Sequence, residues 1–303
     1  MKNAEDLPRI SVCIASLDRA RTLEKALAAI LAQDYPADLT EVLLRDDGSS
    51  DGTLSVMRGY AERFSGKGAA RTSVSRNEAV PNLIAARNFL AGEVSPAARL
   101  MLVMDDDVYV EPDFLRRLAL YFSSLRGCAA LGPRVVFESA REKTAACANF
   151  VNRFTGTYRA VDAPGPLECD WLSTCCLLLD MEAWRAAGGL HEAFYTCHEE
   201  ADFCLRAKRA GFRVVYYPLV TVRHDVNVNM QRRSRNYYLY RNKLLFIRRN
   251  FPWPFRISAL LVSVCFGLPK YLLESLRAGE LRAEFALILR AVLDGLLGRE
   301  GKL

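Results

Sequence analysis

An apolar run that ends in three consecutive aspartates, LMLVMDDDVYVEPD at residues 100–113, constrains the fold of this chain more than any other stretch. The apolar residues 100–104 predict a short strand that is buried on both faces of a sheet. Side chains alternate along a strand, so Asp105 and Asp107 share one side and Asp106 takes the other. Adjacent like charges repel, and hard divalent cations prefer carboxylate oxygens, so we expect a metal site with open positions for a diphosphate. A solvated acidic loop is the alternative.

Strands and helices alternate along the first third of the chain. The pattern predicts strands at 9–15, 41–45, 71–75 and 100–104, with helices at 22–32, after the turn 46–52, at 82–91 and from 111–112 onward. Such repeated units predict a doubly wound, mostly parallel sheet that binds ligands at the carboxyl ends of its strands. The chain has neither a G-x-G-x-x-G nor a Walker sequence, so a dinucleotide-dependent dehydrogenase and a P-loop ATPase are poor fits.

Two aspartates follow the first two predicted strands. Asp18 is a candidate ligand contact, with a helix cap as the alternative interpretation. Asp47 lies in the turn DDGSSDG at 46–52, whose glycines permit a tight turn. Its carboxylate is placed to accept hydrogen bonds from a base or a ribose hydroxyl.

The middle of the chain has fewer regular patterns. A strand is predicted at 129–136, and residues 137–167, rich in Gly, Pro and Thr, are predicted to be irregular. Loops of this length are usually functional or mobile, so this one is a candidate acceptor-binding edge. Trp171 precedes an apolar strand within 168–180 and is either a platform for a sugar ring or a core residue.

Three acids, Glu199, Glu200 and Asp202, fall within four residues at the predicted start of a helix. A helix dipole stabilises negative charge there, but capping needs only one acid. The excess indicates that at least one carboxylate acts on a substrate, as a general base does.

His224 follows two further predicted strands, 212–217 and 219–223, which are separated at Pro218. A single histidine is more often a surface or core residue than a metal ligand. On this evidence alone, a metal ligand is the less favoured interpretation of His224.

The composition changes sharply beyond His224. Residues 226–271 contain no acid and interleave Arg and Lys with aromatic residues. Such a segment fits an anionic membrane surface, where each nearby cation contributes about 1 kcal/mol. The apolar residues 257–268 are too few to span a bilayer, and 281–297 is predicted to be an amphipathic helix. We therefore expect peripheral membrane attachment; packing on the catalytic domain or on a second subunit is the alternative.

The overall composition argues against other classes of protein. A net charge of +6 is modest for 303 residues, and without zinc-finger spacing or an RNA-binding aromatic signature we expect no nucleic-acid partner. The nine cysteines are scattered and never in CxxC spacing, which is typical of reduced thiols in a cytosolic protein. The amino terminus, MKNAEDLPRI, lacks the apolar core of a signal peptide, so we do not expect export.

Taken together and in order, these features resemble the family 2 inverting glycosyltransferases of the GT-A fold. The matching pieces are ISVCIASLDR (10–19), DDGSSDGT (46–53), ARN (86–88), MDDDV (104–108), HEEADFCLRAKRAGF (198–212) and His224. Within that family, DDDVYVEPD and the spacing to His224 look most like bacterial galactofuranosyltransferases or rhamnosyltransferases.

The resemblance implies roles for individual residues. Mn²⁺ or Mg²⁺ would be held by Asp105, Asp107 and His224. The nucleotide-sugar would be bound by Ser16, Asp18, Arg19, Asp47, Arg87, Asn88 and Asp106. Glu200 would be the catalytic base where relatives commonly have Asp, with Glu199 or Asp202 sharing the work, and Trp171 and His198 would contact the acceptor. A further departure from the family pattern is NEAVPN at 77–82, where many relatives have a glycine soon after the first Asn.

The implied enzyme moves a sugar from a donor of the UDP-galactofuranose or dTDP-rhamnose type to a lipid-linked or polysaccharide hydroxyl. Its GT-A domain would cover residues 1–230, with a nucleotide-binding half at about 8–130 and an acceptor half at about 131–230. Residues 231–303 would form helices at the cytoplasmic face of the inner membrane, or a contact between subunits. A nucleotidyltransferase and a non-catalytic sugar-nucleotide or membrane-binding protein are the alternatives.

Overall fold

The computed structural model describes residues 7–226, 232–277 and 281–303. Its strands are β1 (Ile10–Ser16), β2 (Thr40–Asp46), β3 (Arg71–Arg76), β4 (Leu100–Met104), β5 (Val108–Tyr109), β6 (Cys128–Phe137), β7 (Ala140–Ala146), β8 (Ala148–Val151), β9 (Tyr158–Val161), β10 (Leu167–Glu168), β11 (Cys176–Asp180) and β12 (Arg213–His224). Its α-helices are α1 (Ala20–Leu31), α2 (Thr53–Gly66), α3 (Leu83–Glu93), α4 (Phe114–Ser124), α5 (Met181–Ala187), α6 (Glu199–Arg209), α7 (Arg232–Asn250), α8 (Phe255–Val262), α9 (Leu268–Arg277) and α10 (Leu281–Leu297). A π-helical turn, Ser263–Gly267, joins α8 to α9.

A ten-stranded mixed sheet forms the centre of the molecule, in the order β10-β12-β6-β11-β4-β1-β2-β3 with β5 beside β12 and β7 beside β6. Strands β3, β2, β1 and β4 are parallel, as are β6 and β12. Strand β11 runs antiparallel to both β4 and β6 and so joins the two parallel groups. The predicted α/β class with a doubly wound sheet is confirmed, and the four predicted strands of the first half lie within one residue of their observed bounds.

Side-chain alternation in the central strands divides the apolar core into two layers. Cys13 and Ala15 of β1 face the layer that contains α3, α5 and α6, whereas Val12 and Ile14 face the layer that contains α1, α2 and α4. All five residues of β4 are buried, as expected for a strand covered on both faces. The helices on both faces thereby fix the edge at which the parallel strands end.

Three predictions of secondary structure were wrong. Strand β12 is continuous through Pro218, because a register shift between Tyr217 and Thr221 accommodates the proline where two strands were predicted. Residues 137–167, predicted to be irregular, contain β7 and the antiparallel pair β8 and β9. Strand β7 has no buried residue and its sequence, AREKTAA, does not alternate between apolar and polar residues, and β8 and β9 have only four residues each. The helix predicted from 111–112 begins at Phe114.

The carboxyl-terminal helices pack against the sheet domain and each other. Leu245, Phe246 and Ile247 of α7 belong to the core layer that contains α6, and another part of α7 packs on α10. The aromatic side chains that the sequence suggested as membrane contacts are largely buried in these interfaces, namely Tyr237, Tyr238, Tyr240, Phe246 and Phe251. Within the basic segment, residues 227–231 lie outside the described residues. None of the described helices combines the length and apolarity needed to cross a bilayer.

Candidate active site

Three side chains that can ligate a metal meet where β4 and β12 end. Donor atoms of Asp105, Asp107 and His224 all lie within 4.8 Å of one another. Topology brings them together, because β12 runs beside β6 and its last residues pair with β5, directly after the aspartates. His224 Nε2 lies 2.9 Å from Asp107 Oδ1. Two carboxylates and an imidazole fit a hard divalent cation such as Mn²⁺ or Mg²⁺.

Positive charge occupies this site in the structure. Burial opposes ionisation of Asp107, but its contacts with His224 and Arg19 outweigh that effect and lower its pKa. Burial would lower the pKa of His224, yet its hydrogen bond to Asp107 raises that pKa to about 10. Arg19 Nη1 lies 2.8 Å from Asp107 Oδ2. The carboxylates are therefore arranged to be neutralised by cations.

Asp106 points to the opposite side of the chain, towards β1. The Ser16 hydroxyl donates to its carboxylate, and Arg19 lies 3.9 Å from its other oxygen. Burial raises the pKa of Asp106 to about 7. Ser16 thus hydrogen-bonds to Asp106, and Arg19 pairs with it by charge, beside the candidate metal ligands. The opposite orientation of Asp106 is the one that side-chain alternation predicted.

Asp18 and Asp47 lie at the ends of β1 and β2. Asp18 adopts a left-handed backbone with φ +52°, and its Oδ1 accepts from the backbone N–H of Ser50 at 2.7 Å. It therefore ties the first strand end to the turn after the second. Asp47 is buried, which raises its pKa, and it accepts a hydrogen bond from Asn77 Nδ2 at 2.7 Å. Asn77 begins the NEAVPN stretch in which the sequence departs from many relatives.

Arg87 connects the metal ligands to the acidic helix. Its guanidinium is buried and lies 2.6 Å from Asp105 Oδ1 and 3.1 Å from Glu199 Oε1. Its neighbour Asn88 does not reach this group; it donates to the Leu190 carbonyl at 2.9 Å and accepts from the Leu190 N–H at 3.0 Å. Arg87 is thus part of the site, whereas Asn88 holds the loop before α6.

The three acids at the start of α6 have different surroundings. Glu199 is buried against Arg87, and Asp202 accepts from Arg206 Nε at 2.8 Å and from Asn250 Nδ2 at 2.7 Å. One carboxylate oxygen of Glu199 and one of Glu200, Oε2 in each, are buried without a hydrogen-bond partner among the described residues. Burial and the charge of Glu199 raise the pKa of Glu200 well above its ordinary range. Of the three acids, only Glu200 lines the cleft described next, so its carboxylate is best placed to take up a proton from a ligand there.

Glu200 reaches a cleft of about 460 Å³. The cleft is lined by Thr144, Ala145, Ala146, Cys147, Asn149, Ala160, Asp162, Trp171, Ser173 and Glu200. Trp171 stacks edge-on against Tyr158, whose ring also contacts His198. Trp171 Nε1, Tyr158 Oη and His198 Nδ1 are buried and unpaired within the described part of the chain. Burial and nearby Lys243 lower the pKa of His198 to about 3, so its imidazole is neutral. Unpaired polar groups beside an aromatic platform suit a hydroxyl-rich ligand.

Sequence reasoning missed the role of two residues behind the start of α6. Arg241 and Asn242 of α7 are buried and donate to backbone carbonyls of residues 193–197. Arg241 was assigned to the membrane-facing cations, which is wrong, because it is only 1% exposed. The sequence did offer one indication of a buried polar pair, because Arg241 and Asn242 are adjacent within a largely aromatic and apolar segment.

Comparison with known proteins identifies the class of enzyme. The model of a family described as "Glycosyltransferase like family 2" matches residues 8–243. The chain belongs to glycosyltransferase family 2. The predicted family resemblance and enzyme class are thereby confirmed, and the protein is a glycosyltransferase that uses a nucleotide-sugar donor.

The family 2 enzyme has relatives of known name. It is 30% identical over 224 residues to N-acetylglucosaminyl-diphospho-decaprenol L-rhamnosyltransferase of Mycobacterium tuberculosis, covering 67% of this chain and 71% of that one. Its fold is similar to that of the mannosyltransferase PcManGT from Pyrobaculum calidifontis in complex with GDP-Man and Mn²⁺, with a TM-score of 0.61, 15% identity and coverage of 98% of this chain and 90% of that chain. GalNAc-T7 with UDP, GalNAc and Mn²⁺ gives a TM-score of 0.64 at 16% identity, covering 80% of this chain and 48% of that chain. These likenesses establish a GT-A fold.

Proposed function

We propose that this family 2 enzyme is a metal-dependent, inverting glycosyltransferase with Glu200 as its catalytic base. The observation that carries the proposal is the link through Arg87, which joins the metal ligand Asp105 to the helix that presents Glu200 to the cleft. A donor bound at the carboxylates and an acceptor bound in the cleft would then meet beside Glu200. The Mn²⁺ in two structures of the same fold supports a divalent cation here.

The donor would lie across the ends of β1, β2 and β4. Asp18 and Asp47 would contact the base and ribose. Asp106, which accepts a hydrogen bond from Ser16, would face the ribose. Arg19 would turn from Asp107 to the diphosphate, because phosphate oxygens offer it the same bidentate geometry as a carboxylate. A divalent ion held by Asp105, Asp107 and His224 would neutralise the charge that develops on the departing diphosphate.

The acceptor hydroxyl would lie in the cleft within reach of Glu200. Glu200 takes the proton of that hydroxyl while the hydroxyl oxygen forms a bond to the anomeric carbon of the donor sugar. The bond from that carbon to the diphosphate oxygen breaks, and the nucleoside diphosphate leaves with the electron pair. A single displacement from the opposite face inverts the anomeric configuration. Trp171 would stack on a sugar ring, and the neutral His198, which packs against Tyr158 beside the cleft, would serve as a hydrogen-bond partner for the acceptor.

The name of the Mycobacterium tuberculosis relative guides the choice of substrates. That name describes the transfer of L-rhamnose to N-acetylglucosaminyl-diphospho-decaprenol. We propose a donor of the dTDP-rhamnose or UDP-galactofuranose type and a lipid-linked or polysaccharide acceptor for this chain.

The exposed part of the carboxyl-terminal helices supports a lipid-linked acceptor. Five exposed apolar side chains lie on α8 or next to it, and we call them the α8 surface: Trp253, Phe255, Ile257, Leu261 and Phe266. Residues 226–271 contain no acid, so the α8 surface contributes no negative charge that would repel an anionic bilayer. We propose that it rests on the cytoplasmic face of the inner membrane; a contact between two subunits is the alternative.

Removal of the two most exposed aromatic side chains should weaken membrane binding. Trp253 and Phe266 are 73% and 72% exposed, and each interfacial aromatic ring contributes on the order of 1 kcal/mol or more. We expect Trp253→Ser with Phe266→Ser to lower partitioning onto phosphatidylglycerol vesicles at least about tenfold in a sedimentation assay. Leu219→Ser, at a 53% exposed apolar position on β12, is the control. Unchanged vesicle binding, with dissociation of a dimer instead, would favour the subunit contact.

Release of nucleoside diphosphate from a panel of nucleotide-sugars tests the function. The purified enzyme is incubated with Mn²⁺, one of UDP-galactofuranose, dTDP-rhamnose or GDP-mannose, and a polyprenyl-diphosphate-linked sugar. We expect transfer from one donor, loss of transfer with a chelator, and an inverted linkage by NMR. Pyrophosphate release from a nucleoside triphosphate would instead indicate a nucleotidyltransferase. Absence of both transfer and donor hydrolysis would indicate a non-catalytic binding protein.

A further inference from the structure

The loop before the catalytic helix has an unusual backbone. Tyr195, Cys197 and His198 adopt left-handed conformations, with φ of 62°, 63° and 74°. Residues other than glycine rarely adopt this conformation, so surrounding contacts must hold it. The His198 carbonyl accepts from the Asp202 N–H at 3.0 Å, which makes it part of the first turn of α6. The position of Glu200 therefore depends on how this loop is held.

Two buried side chains of α7 hold the loop from behind. Asn242 Nδ2 donates to the carbonyls of Phe194 at 2.8 Å and Cys197 at 2.9 Å, and also to that of Thr196. Arg241 Nη2 donates to the Phe194 carbonyl at 2.9 Å. Arg241 Nη2 donates to the Ala193 carbonyl as well, at 3.3 Å. The carbonyls of the 193–198 loop thus accept five contacts from two consecutive residues of α7.

Arg241 also fixes which way the Asn242 amide faces. Arg241 Nε donates to Asn242 Oδ1 at 2.8 Å, so the amide oxygen is engaged and the amide nitrogen points to the loop. Arg241 Nη1 donates in addition to the Gly301 carbonyl, at 2.5 Å. The guanidinium and the amide are therefore held by each other and by the Gly301 carbonyl.

We infer that Arg241 and Asn242 are positioning residues for the transfer reaction, acting through the 193–198 loop to set the place of Glu200. The inference rests on the proposed role of Glu200 as base. Neither side chain touches the donor site at Asp105 and Asp107. Loss of the pair should therefore reduce turnover and acceptor use while donor binding stays intact.

Asn242→Ala tests the inference, with Tyr240→Phe as a matched control. Tyr240 is also buried on α7, and its hydroxyl donates to the Ser263 carbonyl at 2.5 Å, away from the loop. We expect Asn242→Ala to lower kcat on the order of 100-fold, because misplacement of a catalytic group by about 1 Å has that effect. The KM for the donor and the stabilisation by nucleotide with Mn²⁺ should change less than threefold, and Tyr240→Phe should leave kcat near that of the wild type.

Asn242→Asp separates hydrogen-bond donation from packing. Aspartate has the same shape but presents an oxygen to the three loop carbonyls, so it should be no more active than Asn242→Ala. Activity of Asn242→Asp near the wild-type level would overturn the inference, since shape alone would then suffice.

Hydrogen exchange of the backbone amides in 194–200 gives a readout that does not depend on activity. We expect faster exchange there in Asn242→Ala than in Tyr240→Phe. Unchanged exchange and unchanged kcat would overturn the positioning role. A separate Glu200→Gln assay distinguishes this from failure of the proposed base: an active Glu200→Gln contradicts the base assignment, whereas the loop readout still tests the pair.

Discussion

Glu200→Gln is expected to lower kcat for sugar transfer by about 10²–10⁴-fold, the usual contribution of a general base. Glutamine has nearly the same shape as glutamate but cannot take up the proton of the acceptor hydroxyl. Glu200 meets the cleft and has a buried oxygen without a partner among the described residues, whereas Asp202 has both oxygens engaged by Arg206 and Asn250. Steady-state transfer with saturating donor and acceptor measures the effect.

The same variant should bind the donor as the wild type does. Glu142→Gln, at an exposed position on β7, controls for loss of a carboxylate elsewhere and should leave kcat unchanged. Near-normal transfer by a folded Glu200→Gln enzyme would show that another group is the base.

The pH dependence of kcat provides a second test of Glu200. A base acts only when deprotonated, so kcat should rise as pH rises through its pKa. Burial and the charge of Glu199 raise that pKa, and the acid limb should therefore lie above the range of an ordinary carboxyl group. An acid limb at or below that range would contradict the assignment.

Local patterns in the sequence predicted the strands of the first half and the relative orientation of neighbouring side chains. Strand β4 was predicted with its observed bounds, because a buried strand in a parallel sheet is a continuous apolar run. The meeting of Asp105 and Asp107 followed from side-chain alternation. Their proximity to His224, far along the chain, came from the family resemblance and is seen in the structure.

Contacts between distant elements could not be predicted in the same way. Arg87 was expected near the nucleotide, and only the packing of α3 against α6 shows that it bridges Asp105 and Glu199. Arg241 lies in a basic and aromatic segment whose composition is typical of a membrane surface. In the structure, however, α7 packs on the 193–198 loop, and Arg241 is buried there. The hydrophobic period and the composition of a sequence indicate which residues are apolar. They do not indicate which neighbouring group will pair with a buried charge.

Asp107→Ala is expected to abolish the metal dependence of nucleotide binding. A ligand at 100 times its Kd stabilises a protein by about 2.7 kcal/mol, which corresponds to a rise in Tm on the order of 5 °C for a chain of this size. We expect UDP, dTDP or GDP, whichever binds, to give that rise with Mn²⁺ in the wild type. In Asp107→Ala, addition of Mn²⁺ should make no difference, and transfer should fall more than about 100-fold, because a direct ligand is lost rather than an outer partner.

The surroundings of Asp107 explain why the test measures the effect of Mn²⁺ on nucleotide binding and not nucleotide binding alone. Asp107 neutralises both Arg19 and His224 at 2.8 and 2.9 Å, so its removal leaves those cationic groups facing the diphosphate. Some attraction for nucleotide should therefore persist in Asp107→Ala without any metal ion. Asp113→Ala, which removes a carboxylate paired with Arg117 at the surface, should keep the full response to Mn²⁺. A response to Mn²⁺ in Asp107→Ala equal to that of Asp113→Ala would place the metal elsewhere, because the remaining carboxylate Asp105 is already engaged by Arg87.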